Sequence, residues 1–77
     1  MDEKRTSPRH RVLKAGTIEF QGGAIDCTVR NLSAAGAALD VISPVGIPEH
    51  FTLFTDGAHH SCHVIWRKEN RIGIAFD

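Results

Sequence analysis

Nine Lys and Arg balance nine Asp and Glu, leaving no net charge, so the molecule as a whole is not drawn to a polyanion such as duplex DNA. No uninterrupted apolar run is long enough to span a bilayer, and the charged start Met-Asp-Glu-Lys-Arg is followed by no apolar h-region. A chain neither inserted nor exported is expected in the cytoplasm, with no membrane partner. There Asn31-Leu32-Ser33 has no meaning as a glycosylation acceptor. Cysteine is scarce: Cys27 and Cys62 lie in separate hydrophobic stretches without short metal-type spacing, and both read as buried thiols rather than a disulfide.

The groups that catalysis needs are also missing. There are no paired carboxylates, no nucleophile elbow and no glycine-rich loop opening a helix, and none of the five histidines has an evident orienting partner. An enzyme is therefore the least supported class. His59, His60, Cys62 and His63 look like a metal cluster, but in a strand His60 and Cys62 face one way and His59 and His63 the other, too few per side for a closed zinc site. With 77 residues there is room for one domain only, and 42% apolar residues are enough for it to fold.

What is present is a period of two. From Val12, Lys14, Gly16, Ile18 and Phe20 fall on one side of an extended segment. After Gln21-Gly22-Gly23, Ile25, Cys27 and Val29 alternate with polar residues, giving a hairpin partner. Ser33 to Val41 reads as a tight turn and a strand, because Gly36 argues against the short helix that Ser33 could cap. Pro44 and Pro48 make residues 43–48 a crossing loop. Phe51 to Thr55, Asp56-Gly57 and the run His60 to Lys68 read as a second hairpin, and Glu69-Asn70 turns into a last strand, Arg71 to Phe76. Six short strands with no sustained helical period predict an all-β antiparallel barrel over 12–77, preceded by a flexible basic arm, 1–11.

Two elements can carry chemistry. Arg5-Thr6-Ser7-Pro8-Arg9 sets two arginines just before the first strand, and Pro8 keeps the segment extended so that both guanidinium forks can converge on one anion or on a guanine edge. Taken alone such a pair is most often a solvated tail. Asn31-Leu32-Ser33-Ala34-Ala35-Gly36 follows the second strand; by itself it is an ordinary polar turn. Functionally, Asn31 can meet a base edge, Ser33 can donate to a phosphate, and Gly36 leaves its backbone N–H open to close approach. Lys4 and Arg30 are further cations that can help hold a phosphate. Trp66, within a long strand, reads as a core side chain, although an indole near the barrel mouth can stack on guanine.

In this order the two elements resemble the PilZ domain family, whose signature is RxxxR before the first strand and [DN]xSxxG after the second. The ending Val64-Ile65-Trp66-Arg67 … Ile72-Gly73-Ile74-Ala75-Phe76 is similar to the last hairpin of such domains. The resemblance implies a six-stranded barrel of the split-barrel type that binds cyclic di-GMP, with no other cofactor, and switches an unidentified downstream protein. It implies Arg5 and Arg9 as the clamp on phosphate and guanine and Asn31, Ser33 and Gly36 as the second motif. Asn stands where Asp is commoner, which keeps an acceptor and loses a charge. Two rivals remain: a PilZ-like scaffold that binds protein but no nucleotide, and a small barrel for single-stranded nucleic acid, which would need exposed aromatics along a basic groove.

Overall fold

The computed structural model describes residues 13–77, all strand, turn and loop; the arm with Lys4, Arg5 and Arg9 lies outside the described residues. Six strands follow one another: β1 Leu13–Phe20, β2 Gly23–Arg30, β3 Gly36–Asp40, β4 His50–Thr55, β5 Ala58–Lys68 and β6 Arg71–Phe76. All pair antiparallel, in the closed order β1-β2-β3-β6-β5-β4. Closure is made by β1, which pairs along its length with β2 and, through Thr17, Ile18 and Glu19, with β4. Each strand thus has a neighbour on both sides over part of its length, which limits edge-to-edge association of so short a set of strands. Among the described residues no helix is long and apolar enough to cross a membrane.

Alternation puts one face of every strand inside. Ile18, Val29, Leu39, Leu53 and Ile72 are fully buried, and Ile74 and Cys62 nearly so. At the Asp56-Gly57 turn both residues have positive φ, 54° and 75°, the backbone twist that two-residue hairpins require. The crossing loop after β3 is pinned from inside: Val41 and Ile47 join the core cluster, and Asn70 donates to the Ile42 carbonyl from the β5–β6 turn. That end of the barrel is plugged. The opposite end gathers the start of β1, the β2–β3 turn, the β4–β5 turn and the end of β6, and opens into a mouth lined by Leu32, Thr55, His60 and Phe76.

The long run predicted from His60 to Lys68 forms, but it is not regular. Val64 pairs with Ile74 and Trp66 with Gly73, so Ile65 has no partner of its own and β5 bulges there. An extra residue reverses the phase of everything after it. Cys62 and Val64 face inward with Ile74, whereas Trp66 sits opposite Gly73 on the outer face and is 43% exposed. The assignment of Trp66 to the core is therefore wrong. Strict alternation carries 62 and 64 on to 66, and the bulge breaks it.

Cys27 and Cys62 are buried free thiols. Burial, with the Asp26 charge second, pushes the Cys27 thiol up to about 11; burial, with Asp77 second, does the same for Cys62, which also lies 3.5 Å from the Phe51 carbonyl. The thiolate is the reactive form. Native protein at pH 8 should therefore resist a thiol-labelling reagent and react at both positions only on denaturation. Rapid labelling of either cysteine in the folded state would contradict this packing.

Candidate nucleotide-binding face

The strand registers place outward-facing residues in rows across the wall. Arg30 on β2 stands opposite Ala38 on β3, Ala38 opposite Gly73 on β6, and Gly73 opposite Trp66 on β5. Three interstrand spacings make this row about 14 Å wide. The neighbouring row toward the mouth begins with Gly36 opposite Ala75. Gly36, Ala38, Gly73 and Ala75 thus tile a flat floor with no side chain beyond a methyl, bounded by a cation on one side and an indole on the other.

Both glycines answer to backbone and ring contacts rather than to turns. A Cβ on Gly36 would fall onto the Ile74 carbonyl oxygen, and one on Gly73 would enter the Trp66 ring. The indole lies directly over Gly73, covering a backbone that would otherwise be open in an outer strand face. Gly36 is buried by β6. Its lack of a side chain serves first the close packing of β3 on β6, not the approach of a ligand to its N–H.

The turn before Gly36 is organised by Ser33. Its hydroxyl accepts from the Ala35 and Gly36 amides and donates to the Gly36 carbonyl, each at 3.2 Å, and its own N–H also donates to that carbonyl, at 2.9 Å. The Phe76 amide donates to the Ala35 carbonyl at 2.8 Å, tying the turn to the end of β6. Such side-chain closure is what Ser does well in a short turn. Asn31 opens the turn with φ 52°, a left-handed conformation for which Asn and Asp are enriched over other non-glycine residues. Its side chain is exposed.

Asn31, Ser33 and Gly36 are brought together with Trp66 and Gly73 around one shallow depression of about 390 Å³ on the outer wall. The second motif and the indole are thus parts of one surface, a link the sequence did not reveal. Arg30 is half-buried and engaged: its Nη1 donates to Asp40 Oδ2 at 2.7 Å, while Arg71 Nε donates to Asp40 Oδ1 at 2.6 Å. Sequence reasoning missed Asp40 altogether, and it missed Ala38 and Gly73 as floor. Trp66 directly after the bulge and opposite Gly73 marks the floor, and nothing short of the register shows it. Partial burial raises the Asp40 pKa, yet the hydrogen bonds and charges of Arg30 and Arg71 outweigh it and hold the carboxyl below its ordinary value.

The histidine-rich start of β5 divides as its alternation predicted. Cys62 is in the core; His60 stacks near Phe76 at 5.2 Å between ring centroids; His63 meets Asp77 at 2.7 Å; His59 packs on Phe54 and lies 3.4 Å from Glu19. Among the described residues no group of three or more such side chains is placed to hold a metal ion.

The chain thus forms a closed six-stranded barrel with a small-floored outer face, an outward indole and a polar turn. The family comparison agrees: the PilZ domain model matches residues 3–77, and the chain belongs to the PilZ domain family, whose members are in general receptor or adaptor domains for cyclic di-GMP and not catalysts. Comparison with curated proteins and with solved structures found no significant match.

The two small motif residues of the turn, Ser33 and Gly36, should fail differently when altered. Gly36→Ala must push β3 off β6 and should lower stability toward the upper end of roughly 1–3 kcal/mol. Ser33→Ala, in an exposed turn where water can replace the hydroxyl, should lower it by about 1 kcal/mol. Thermal unfolding of the two variants measures this; a Gly36→Ala protein as stable as the parent would contradict the close approach.

Proposed function

We propose that this domain is a receptor for cyclic di-GMP that takes the nucleotide on the outer wall of the barrel, between the Asn31–Gly36 turn and Trp66, and closes over it with Arg5 and Arg9. The observation that carries the reading is the convergence of Asn31, Ser33, Gly36 and Trp66 on one depression. It supplies in one place a stacking surface, a carboxamide for a base edge and a hydroxyl for a phosphate. The floor of small residues lets a planar ring approach the sheet closely.

Chain connectivity favours the arm as the other half of the clamp. Leu13 pairs with Arg30, the residue before Asn31. The polypeptide therefore enters β1 beside the turn. Arg9 precedes Leu13 by four residues and Arg5 by eight, reaches of at most about 14 Å and 29 Å of backbone. Both guanidinium groups can meet a ligand on this face. Ser33 contributes by redirecting its proton: the 3.2 Å bond to the Gly36 carbonyl is long, and a bond to an anionic phosphate oxygen is roughly twice as strong as a neutral one.

Energetics set the scale. On the proposal that about five arm residues order only with ligand, their ordering opposes binding by roughly 5–10 kcal/mol, and each charge-assisted hydrogen bond returns only about 1.5–3 kcal/mol net. Several must form together, giving affinity on the order of micromolar. The bound arm then changes the surface offered to a downstream protein, so the domain acts in the cytoplasm as an adaptor.

Calorimetric titration with cyclic di-GMP tests this, with cyclic di-AMP, GTP and a short oligonucleotide as controls. The parent should bind cyclic di-GMP alone, and Arg5→Ala and Arg9→Ala should each abolish measurable binding without changing the unfolding midpoint. A flat titration of the parent would favour a protein-binding scaffold, and full affinity in both variants would refute the clamp.

A further inference from the structure

We propose that Arg30 and Arg71, held together by Asp40, form a second anion-contacting edge of the nucleotide site, and that Asp40 is the positioning residue that sets it. The proposal rests on the reading of this face as a cyclic di-GMP site and extends it one row along the strands, away from the barrel mouth. Asp40 stands on the outer face of β3 opposite Thr28 on β2 and Arg71 on β6, one row beyond the floor. Its two oxygens hold one guanidinium from each neighbouring strand, at 2.7 and 2.6 Å. A single carboxylate thus links three adjacent strands through side chains.

The edge it builds is cationic and available. Two guanidinium groups and one carboxylate sum to a single positive charge, and the side chains of Arg30 and Arg71 keep 37% and 45% of their surface in solvent. Each ion pair recorded uses one N–H-bearing nitrogen of its arginine, leaving the rest of the fork to donate elsewhere. Trp66 connects this edge to the site: it lines the 390 Å³ depression beside the Asn31–Gly36 turn and also a second depression of about 670 Å³ shared with Asp40, Lys68 and Arg71. Glu69 lies on the rim of that second depression and offsets Lys68, which leaves the two arginines as the cations whose orientation is fixed. A ligand ring stacked on Trp66 has anionic groups within reach of the turn toward the mouth and of the Asp40 row, where Arg30 and Arg71 converge, away from it. Cyclic di-GMP carries two phosphates, so both edges can be used at once.

The sign of the Asp40 effect separates positioning from bulk charge. Removing a carboxylate about 8 Å from a phosphate raises affinity by no more than about two- to threefold through water, and less at physiological salt. Releasing two long cationic side chains that the ligand must then order lowers it by up to about tenfold for each. Positioning wins, and affinity falls.

The experiment is calorimetric titration of the full chain with cyclic di-GMP, in the parent and in Asp40→Asn, Asp40→Glu, Arg30→Ala and Arg30→Ala/Asp40→Asn proteins. Asp40→Asn should bind roughly fivefold more weakly, Asp40→Glu should restore most of the loss, and in the Arg30→Ala background Asp40→Asn should have a much smaller effect, because Arg71 alone is left to position. Parent-like or tighter binding by Asp40→Asn, or full additivity in the double variant, would overturn the proposal even if its unfolding midpoint falls. Should Asp40→Asn not fold, Arg30→Lys, which keeps the charge facing Asp40 and loses the planar fork, should weaken binding severalfold, and parent-like affinity there would overturn it equally. A parent that gives no heat removes the nucleotide-site reading itself and the proposal with it, whereas a binding parent with an indifferent Asp40→Asn removes the proposal alone.

Discussion

Ile65 has no partner on β6, and that unpaired residue decides which side of the wall the chain's single indole faces. Side chains alternate with a period of two, so without the bulge Trp66 would follow Cys62 and Val64 into a core already filled by Leu39, Ile72 and Ile74. With it, the indole lands outside on Gly73. Bulges next to binding sites commonly re-aim a side chain in this way. The rest of the face depends on that reversal: the row from Arg30 to Trp66 exists only because the phase changes between Val64 and Trp66.

Small residues then decide how closely things can approach. Gly36 lets β3 lie against the Ile74 carbonyl, and Gly73 lets the indole lie on the sheet. Packing and the proposed binding fall to the same positions, since the backbone brought close by Gly36 also fixes where the Ser33 turn ends. The turn is held from within by Ser33 and from the side by the Phe76–Ala35 bond. A polar seat prepared in advance keeps the turn itself from adding to the ordering penalty of a bound ligand. Electrostatics follow the same economy: Asp40 is kept ionised by two arginines, and those arginines are kept in place by it.

Much of this was legible in the sequence because it obeys short periods. The alternation through Gly16, Ile18, Cys27 and Val29 gave the first hairpin, Asp56-Gly57 gave the second, and the proline-bearing stretch after Ser43 gave the loop that crosses the plugged end. The Asn31–Gly36 element was visible as a motif, but only as ligand contacts; in the fold Ser33 closes a turn and Gly36 gives the clearance for a strand. Trp66 was misread because a bulge carries no strong local signature; Ile65 is β-branched and apolar, an ordinary strand residue. Asp40 and Ala38 could not be seen at all, since their meaning lies in which residues stand opposite them across strands far apart in sequence.

The proposed site seats the nucleotide against Trp66 on the outer face. With one Trp and no Tyr, the intrinsic emission of the protein reports on that side chain alone. Titration with cyclic di-GMP should quench the emission with a midpoint equal to that of the calorimetric isotherm, as a guanine covers an indole that is part exposed in the free protein. Emission unchanged at a ligand concentration where calorimetry shows saturation would place the nucleotide elsewhere on the barrel and contradict the account.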